Sequence, residues 1–181
     1  MNTQILTIEK FETYLLDVPI IRPHVMSMTT MHAQNIVLLK ITFSDGEQGI
    51  GEATTVGGQS YGEESPERIK LTLDTYVKPL LLGQPFSTNG EAMHRINSHI
   101  VGNRFAKCAV ETALYDAMGH RLGVPVSELL GGRLVDRVPV LWVLASGNLE
   151  KDIDEAHEMI EHKRHNVFKI KIGKRTNRFM C

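Results

Sequence analysis

The sequence predicts an α+β region, an antiparallel sheet with packed helices, followed by the start of a parallel β/α region. Three observations carry this expectation. Asp45-Gly46 separates two strand-like runs, a strong hairpin signal because aspartate and glycine accept the turn conformations that join adjacent antiparallel strands. Apolar residues at helical spacing recur through 65–122, as in helices that bury one face. After Asp136 the pattern runs strand, helix, strand within about 35 residues, which is a βαβ unit and hence a parallel strand pair with a right-handed crossover. The change in pattern puts a boundary near 133–137, and no internal repeat or low-complexity tract interrupts it.

Taken in order, Ile5 to Asp17 mixes β-branched, aromatic and charged residues and reads as a strand. Pro19 to Gln34 reads as an irregular segment, with Pro19, Pro23 and the closely spaced Met26, Met28 and Met31. Asn35–Phe43 and Gln48–Ala53 are the hairpin strands, and Thr54–Ser65, with Gly57-Gly58 and Gly62, is a second irregular stretch. Ser65-Pro66-Glu67 starts a helix: a capping hydroxyl, a proline at the first helical position, then an acid near the positive helix end. Its inward face is expected at Ile69, Leu73, Tyr76, Val77 and Leu80, with Pro79 and Gly83-Gln84-Pro85 closing it. Asn89 is the expected cap of a second helix with Met93, Ile96 and Ile100 inward. A third helix spans about Phe105 to Leu122. Its Ala109, Ala113 and Ala117 form a ridge of small residues that permits close packing, and Gly123 with Pro125 ends it. A short helical turn, Val126 to Leu130, stops at Gly131-Gly132. Val138–Ala145 is a nearly continuous apolar run, expected of a strand covered on both faces. Ser146-Gly147-Asn148 turns into a helix with Ile153, Ala156 and Ile160 inward, and Val167–Ile172 is the next strand.

Composition restricts function by exclusion. The 181 residues are 42% hydrophobic and 23% charged with a net charge of −1, ordinary globular values without the clustered basic residues of a nucleic-acid-binding face. No apolar run approaches the ~20 residues that span a bilayer, and Met1–Lys10 has no apolar core of a signal peptide. Cys108 and Cys181 stand far apart, outside metal-type spacing. A cytoplasmic protein without nucleic-acid or membrane partners is the expectation.

The chemistry-bearing stretch is Phe168-Lys169-Ile170-Lys171-Ile172-Gly173. Side chains alternate across a strand, so Lys169 and Lys171 share one face while Phe168, Ile170 and Ile172 share the other. In a parallel strand the apolar face meets helices and the lysines point to the sheet's other side. Paired ammonium groups disfavour each other's charge, and a lysine that gives up its proton near neutral pH serves as a general base. The same spacing also suits an edge strand with a solvated basic face. The glycine after the strand fits a carboxyl-terminal strand end, where β/α barrels keep their chemistry.

Several stretches together resemble the amino-terminal part of muconate cycloisomerases (muconate lactonizing enzymes) of the enolase superfamily. They are Ile21-Arg22-Pro23-His24, Ser44-Asp45-Gly46, Gly49 to Thr55, Gly57-Gly58, Tyr61-Gly62, Phe105-Ala106-Lys107, Glu111 to Leu114 with Asp116-Ala117, Gly123 to Gly132, Leu144 to Gly147, and Phe168 to Gly173. The Leu-Gly-Gly and Lys-x-Lys features are common to the superfamily branch, whereas Arg-Pro-His and Ala-Thr-Thr are closer to the muconate enzymes.

The resemblance implies an enolase-like α+β capping domain over 1–133, an antiparallel sheet plus helical bundle. It implies the first βαβ unit of a modified TIM-type barrel over 134–173, truncated after about two strands. The basic ending 174–181 departs from the family, as a truncation, a frameshift or a fragment would. By resemblance Lys171 is the acid/base lysine acting on the carbon alpha to a carboxylate, and Lys169 is its companion. Arg22, His24, Val56 and Tyr61 match capping-loop residues that contact substrate. The implied reaction interconverts cis,cis-muconate and muconolactone, a small dicarboxylate substrate. A divalent metal (Mn2+ or Mg2+) is expected for the full-length family, its ligands lying beyond the part matched here, and a homo-oligomer when full length. The chain by itself is expected to be inactive. Chloromuconate cycloisomerase, dipeptide epimerase or acylamino-acid racemase chemistry, and a non-catalytic fragment, are the alternatives.

The remaining motifs have plainer readings. His157, His162 and His165 lack a ligand-type spacing and suit a solvated helix face. Gly49 and Gly51 lack the third glycine and following helix of a dinucleotide site. Glu111 and Asp116 suit charge pairs on a packed helix. The methionines at 26, 28 and 31 suit loop packing.

Overall fold

The computed structural model describes residues 5–26 and 29–171. The expectations at Met28, Ile172, Gly173 and the ending 174–181 lie outside them. The elements are β1 (Leu6–Val25), β2 (Thr30–Phe43), β3 (Gln48–Thr54), α1 (Pro66–Thr72), a π-helical turn (Leu73–Val77) and α2 (Lys78–Leu81). They continue as β4 (Pro85–Phe86), α3 (Asn89–His99), α4 (Arg104–Leu122), α5 (Val126–Leu129), β5 (Trp142–Leu144), α6 (Leu149–Glu161) and β6 (Phe168–Ile170). The chain divides into two compact units, one of Met1–Pro23 with Met28–Arg133, the other of His24–Ser27 with Leu134–Cys181. None of the described helices is long and apolar enough to cross a membrane.

The first unit is a four-stranded sheet, order β3-β2-β1-β4, with helices packed on it. β2 and β3 pair antiparallel from Ile36↔Thr54 to Thr42↔Gln48. Their connection, residues 44–47, closes through the Phe43 amide donating to the Glu47 carbonyl, with Gly46 at φ +89°, the left-handed position a short hairpin loop needs. Val37, Leu39, Ile41 and Phe43 are buried in alternation, so one sheet face makes the core and the other meets solvent.

That core forces α4 against β3. A Cβ on Gly51 would stand 1.8 Å from the Ala109 carbonyl oxygen, and one on Gly49 2.0 Å from that of Ala113. Only glycine permits this approach, and only the alanine ridge of α4 complements it. The outer edge of β3 is covered by the same helix: the Ile50 amide donates to Asp116 Oδ2 (2.8 Å), and His120 Nδ1 lies 3.2 Å from the Gln48 carbonyl oxygen. The hairpin glycines are thus a packing device, and Asp116 satisfies a strand edge that would otherwise be open.

Three expectations for the first unit are corrected by the structure. The stretch from Pro19 is not irregular: β1 runs to Val25 and β2 begins at Thr30. β1 pairs with β4 only at Leu6 and Thr7, so the later prolines interrupt no ladder on that edge, which is where strands tolerate them. Tyr76 points outward, and the inward row is Ile69, Leu73, Val77 and Leu81. The cause is the π-turn, in which the Lys78 amide bonds to the Leu73 carbonyl; this wider turn rotates the face and relieves the clash of the Pro79 ring with the carbonyl four residues before it. Thr88, not Asn89, caps α3, its hydroxyl accepting from the Glu91 amide (3.1 Å) while the Glu91 carboxylate accepts from the Ser87 amide, a variant of the capping box.

The second unit holds the parallel pair β5–β6, in register Trp142↔Phe168, Val143↔Lys169, Leu144↔Ile170, with α6 between them in sequence. Only Trp142–Leu144 of the apolar run is strand, and Val138, Val140 and Leu141 are exposed. The inward face of α6 is also corrected: Asp152 and Met159 are buried, Ala156 is half-buried, and Ile153 and Ile160 are 46% and 53% exposed. Hydrogen bonding decides this. Asp152 Oδ1 accepts from the Ser146 amide (3.0 Å) and Glu155 Oε1 from Trp142 Nε1 (2.9 Å), so the polar residues are the ones tied to β5 and its exit loop. Met26 and Met31 are buried, in keeping with packing.

Candidate active site

The lysine strand is set by its ladder. The Lys171 amide donates to the Leu144 carbonyl (3.1 Å), extending the pairing one residue past β6 and placing Lys171 at the carboxyl ends of both strands. Trp142 turns its indole to Glu155 of α6, so the helix lies on the face that Trp142 shares with Leu144 and, across the ladder, with Phe168 and Ile170, the last of these 57% exposed. Alternation then gives Lys169 and Lys171 the opposite face. Lys169 is exposed and Lys171 half-buried. The exit loop of β5 is held by Asn148, which accepts from the Lys151 amide and caps α6, and by Ser146, whose hydroxyl donates to the Asn148 carbonyl.

Within this second unit the structure brings together two of the sequence-predicted residues. Lys171 Nζ lies 3.0 Å from His24 Nε2, across 147 positions of sequence. A lysine ammonium has donors and no acceptor. With Lys171 as the donor, His24 Nε2 is the acceptor and its ring proton sits on Nδ1.

Arg22, Val56 and Tyr61 belong to the first unit. Arg22 is half-buried on β1. Val56 and Tyr61 lie in the loop after β3 and are 39% and 64% exposed. That loop is pinned at both ends. Gln34 Nε2 donates to the Thr55 carbonyl (2.6 Å), and the buried Glu64 carboxylate accepts from the amides of Phe105 (2.9 Å) and Ala106 (3.3 Å). Asn103 precedes α4 with φ +50° and gives no side-chain cap, so Glu64 supplies the acceptor that the helix start lacks and meets its positive end. Sequence reading missed Glu64, because a cap normally sits beside the helix it serves. Thr55 is also buried, and its hydroxyl finds no hydrogen-bond partner among the described residues.

No group of three His, Cys, Asp or Glu side chains suited to a metal ion is assembled among the described residues. His157 and His162 are exposed, and His165 Nδ1 lies 2.8 Å from the Val140 carbonyl oxygen with its ring 5.0 Å from Trp142. The described residues therefore do not fit a metal centre.

Comparison with known proteins bears directly on this arrangement. Residues 10–131 match the mandelate racemase / muconate lactonizing enzyme N-terminal domain. Muconate cycloisomerase 1 of Acinetobacter baylyi is 60% identical over 163 residues, covering 90% of this chain and 44% of that protein. Chloromuconate cycloisomerase CbnB of Cupriavidus necator is 44% identical over 169 residues, covering 93% and 45%. The crystal structure of muconate lactonizing enzyme from Pseudomonas fluorescens complexed with muconolactone superposes with a TM-score of 0.89 at 52% identity, over 93% of this chain and 45% of that one. The chain thus spans a little under half the length of these relatives. An antiparallel sheet with helices on one face, the glycine–alanine seam and a matched domain of this extent lead to one conclusion: the chain belongs to the mandelate racemase / muconate lactonizing enzyme family.

Proposed function

We propose that this chain carries the capping domain (1–133) and the first βαβ unit (134–173) of a muconate cycloisomerase-type enzyme, with 174–181 a divergent tail. The reaction is the interconversion of cis,cis-muconate and muconolactone. The observation that supports it best is the pair of lysines on the helix-free face at a carboxyl-terminal strand end, with Lys171 against His24.

Lys171 Nζ gives a proton to the carbon alpha to a substrate carboxylate in one direction and takes it back in the other. Lys169, on the same face, offsets the negative charge that develops beside that carbon. The Arg22 guanidinium suits a carboxylate of the substrate. Val56 and Tyr61, outward on the pinned loop, supply an apolar wall and a hydroxyl, and His24 completes the polar contacts. A divalent cation, Mn2+ or Mg2+, belongs to the chemistry of the family, but the described residues do not hold one and no step here runs through it. The remaining features of this reading are a cytoplasmic setting and a homo-oligomer.

The test is a chimera in which residues 1–171 replace the matching segment of the Acinetobacter baylyi enzyme. It is expected to turn over cis,cis-muconate, and Lys171→Met in the chimera to lower kcat at least about a hundredfold. The 181-residue chain alone is expected to show no turnover. A chimera that folds and acts on chloromuconate or dipeptides instead of muconate would replace this reading with its chloromuconate or epimerase counterpart.

A further inference from the structure

We propose that His24 is a positioning residue for Lys171, holding the ammonium in one orientation and remaining neutral while it does so. This rests on the acid/base role given to Lys171 above.

A lysine side chain does not hold its own charge in place. Its four-carbon stem is flexible and its ammonium is a compact charge with three donors. An acid/base group must present its proton within hydrogen-bond reach of one carbon, and a freely rotating stem spreads that proton over many positions. The backbone around Lys171 does not restrain the stem: its amide is committed to the Leu144 carbonyl, which fixes the Cα and nothing beyond it. Lys169 shares its face and can only repel it. Nζ is located instead by His24 Nε2 at 3.0 Å. One N–H directed there leaves two for substrate and confines their directions. This preorganisation lets less of the substrate's binding energy go into ordering the side chain.

The contact also determines the charge state of the pair. An imidazolium facing an ammonium at this distance would place two cations in contact with no lone pair between them, so the proposal gives the pair one positive charge and puts it on the amine. His24 accepts through Nε2, and its ring proton is on Nδ1. A histidine serving only as a donor to substrate through Nε2 would need the opposite tautomer, so the tautomer distinguishes the two roles.

The test uses the 181-residue chain labelled with 15N-histidine, with ring nitrogens assigned by long-range 1H–15N correlation at mildly alkaline pH. The expected result is an unprotonated Nε2 and a protonated Nδ1 at His24, reverting to the Nε2–H form in Lys171→Met and retained in Lys171→Arg, which keeps a donor. A protonated Nε2 in the unsubstituted chain overturns the proposal, as does a tautomer indifferent to Lys171→Met. If Lys171→Met does not fold, the spectrum of the unsubstituted chain together with Lys171→Arg decides. In the chimera, His24→Gln, which places an amide oxygen near the former Nε2, is expected to keep kcat within about fivefold, while His24→Phe loses tenfold or more in kcat with a smaller change in KM. Equal losses in the two variants, or a loss confined to KM, would assign His24 to substrate contact alone and overturn the positioning role. A chimera inactive before substitution would sink the cycloisomerase reading, while the tautomer measurement would still decide whether His24 holds Lys171.

Discussion

Helices α4 and α6 are the longest of their respective units and are anchored by opposite means. α4 buries Ala106, Ala109, Val110, Ala113, Leu114, Ala117 and Gly119, and its Ala109, Ala113 and Ala117 lie directly on the glycines of β3. α6 buries Asp152 and Met159 and keeps two isoleucines in solvent. The first is held by shape, where its backbone oxygens nearly touch a strand that has no side chains in the way. The second is held by a few hydrogen bonds, Asp152 to the Ser146 amide and Glu155 to the Trp142 indole. Packing by shape tolerates no added atom, and packing by hydrogen bonds tolerates changes on the apolar surface it does not use.

The sharpest way to break that contrast is Gly51→Ala. The new methyl would meet the Ala109 carbonyl oxygen at 1.8 Å, and neither backbone can yield, so a loss of about 3 kcal/mol is expected by urea unfolding. A loss below about 1 kcal/mol would mean that α4 can lift from β3.

Arg121→Ala is expected to have an intermediate effect. Arg121 donates to both Asp45 oxygens from Nε (2.6 Å) and Nη2 (3.2 Å), and its guanidinium lies 4.8 Å from the Phe43 ring centroid. About 1 kcal/mol is expected at neutral pH. The hydrogen bond from Arg121 holds the Asp45 carboxyl below its ordinary range, against a smaller upward effect of burial. A carboxyl lowered on folding stabilises the protein above its unfolded value, about 3.9, and that contribution fades as pH falls through the folded value. The unfolding free energy of the native chain should therefore drop below about pH 4 more steeply than that of Arg121→Ala. Parallel curves would separate the pair from stability.

Ile153→Lys on α6 should change stability by no more than about 0.5 kcal/mol, because the side chain is already half in water. A larger loss in thermal unfolding would show that the outer stripe of α6 is covered in solution.

Much of the first unit was legible in the sequence. The two-residue period of β2, the Asp45-Gly46 hairpin and the alanine ridge each depend on local chemistry that a short window contains. The closing partners were not legible. The ridge could be read as small, but the glycines that receive it lie about sixty positions away and look like ordinary strand residues. The π-turn moved Leu81 inward in place of Tyr76, and apolar periodicity assumes a regular helix. On α6 the isoleucines predicted the wrong face, because periodicity weighs hydrophobicity and the buried face was chosen by Asp152 and Glu155. In the candidate site the lysine strand could be read from alternation alone. The apposition of His24 with Lys171, across 147 positions, needs the fold.

The Glu64 carboxylate ties the far end of the Tyr61-bearing loop to the first turn of α4 through the Phe105 and Ala106 amides. Loop and helix therefore share one anchor, so a change in where α4 begins also changes where that loop is held.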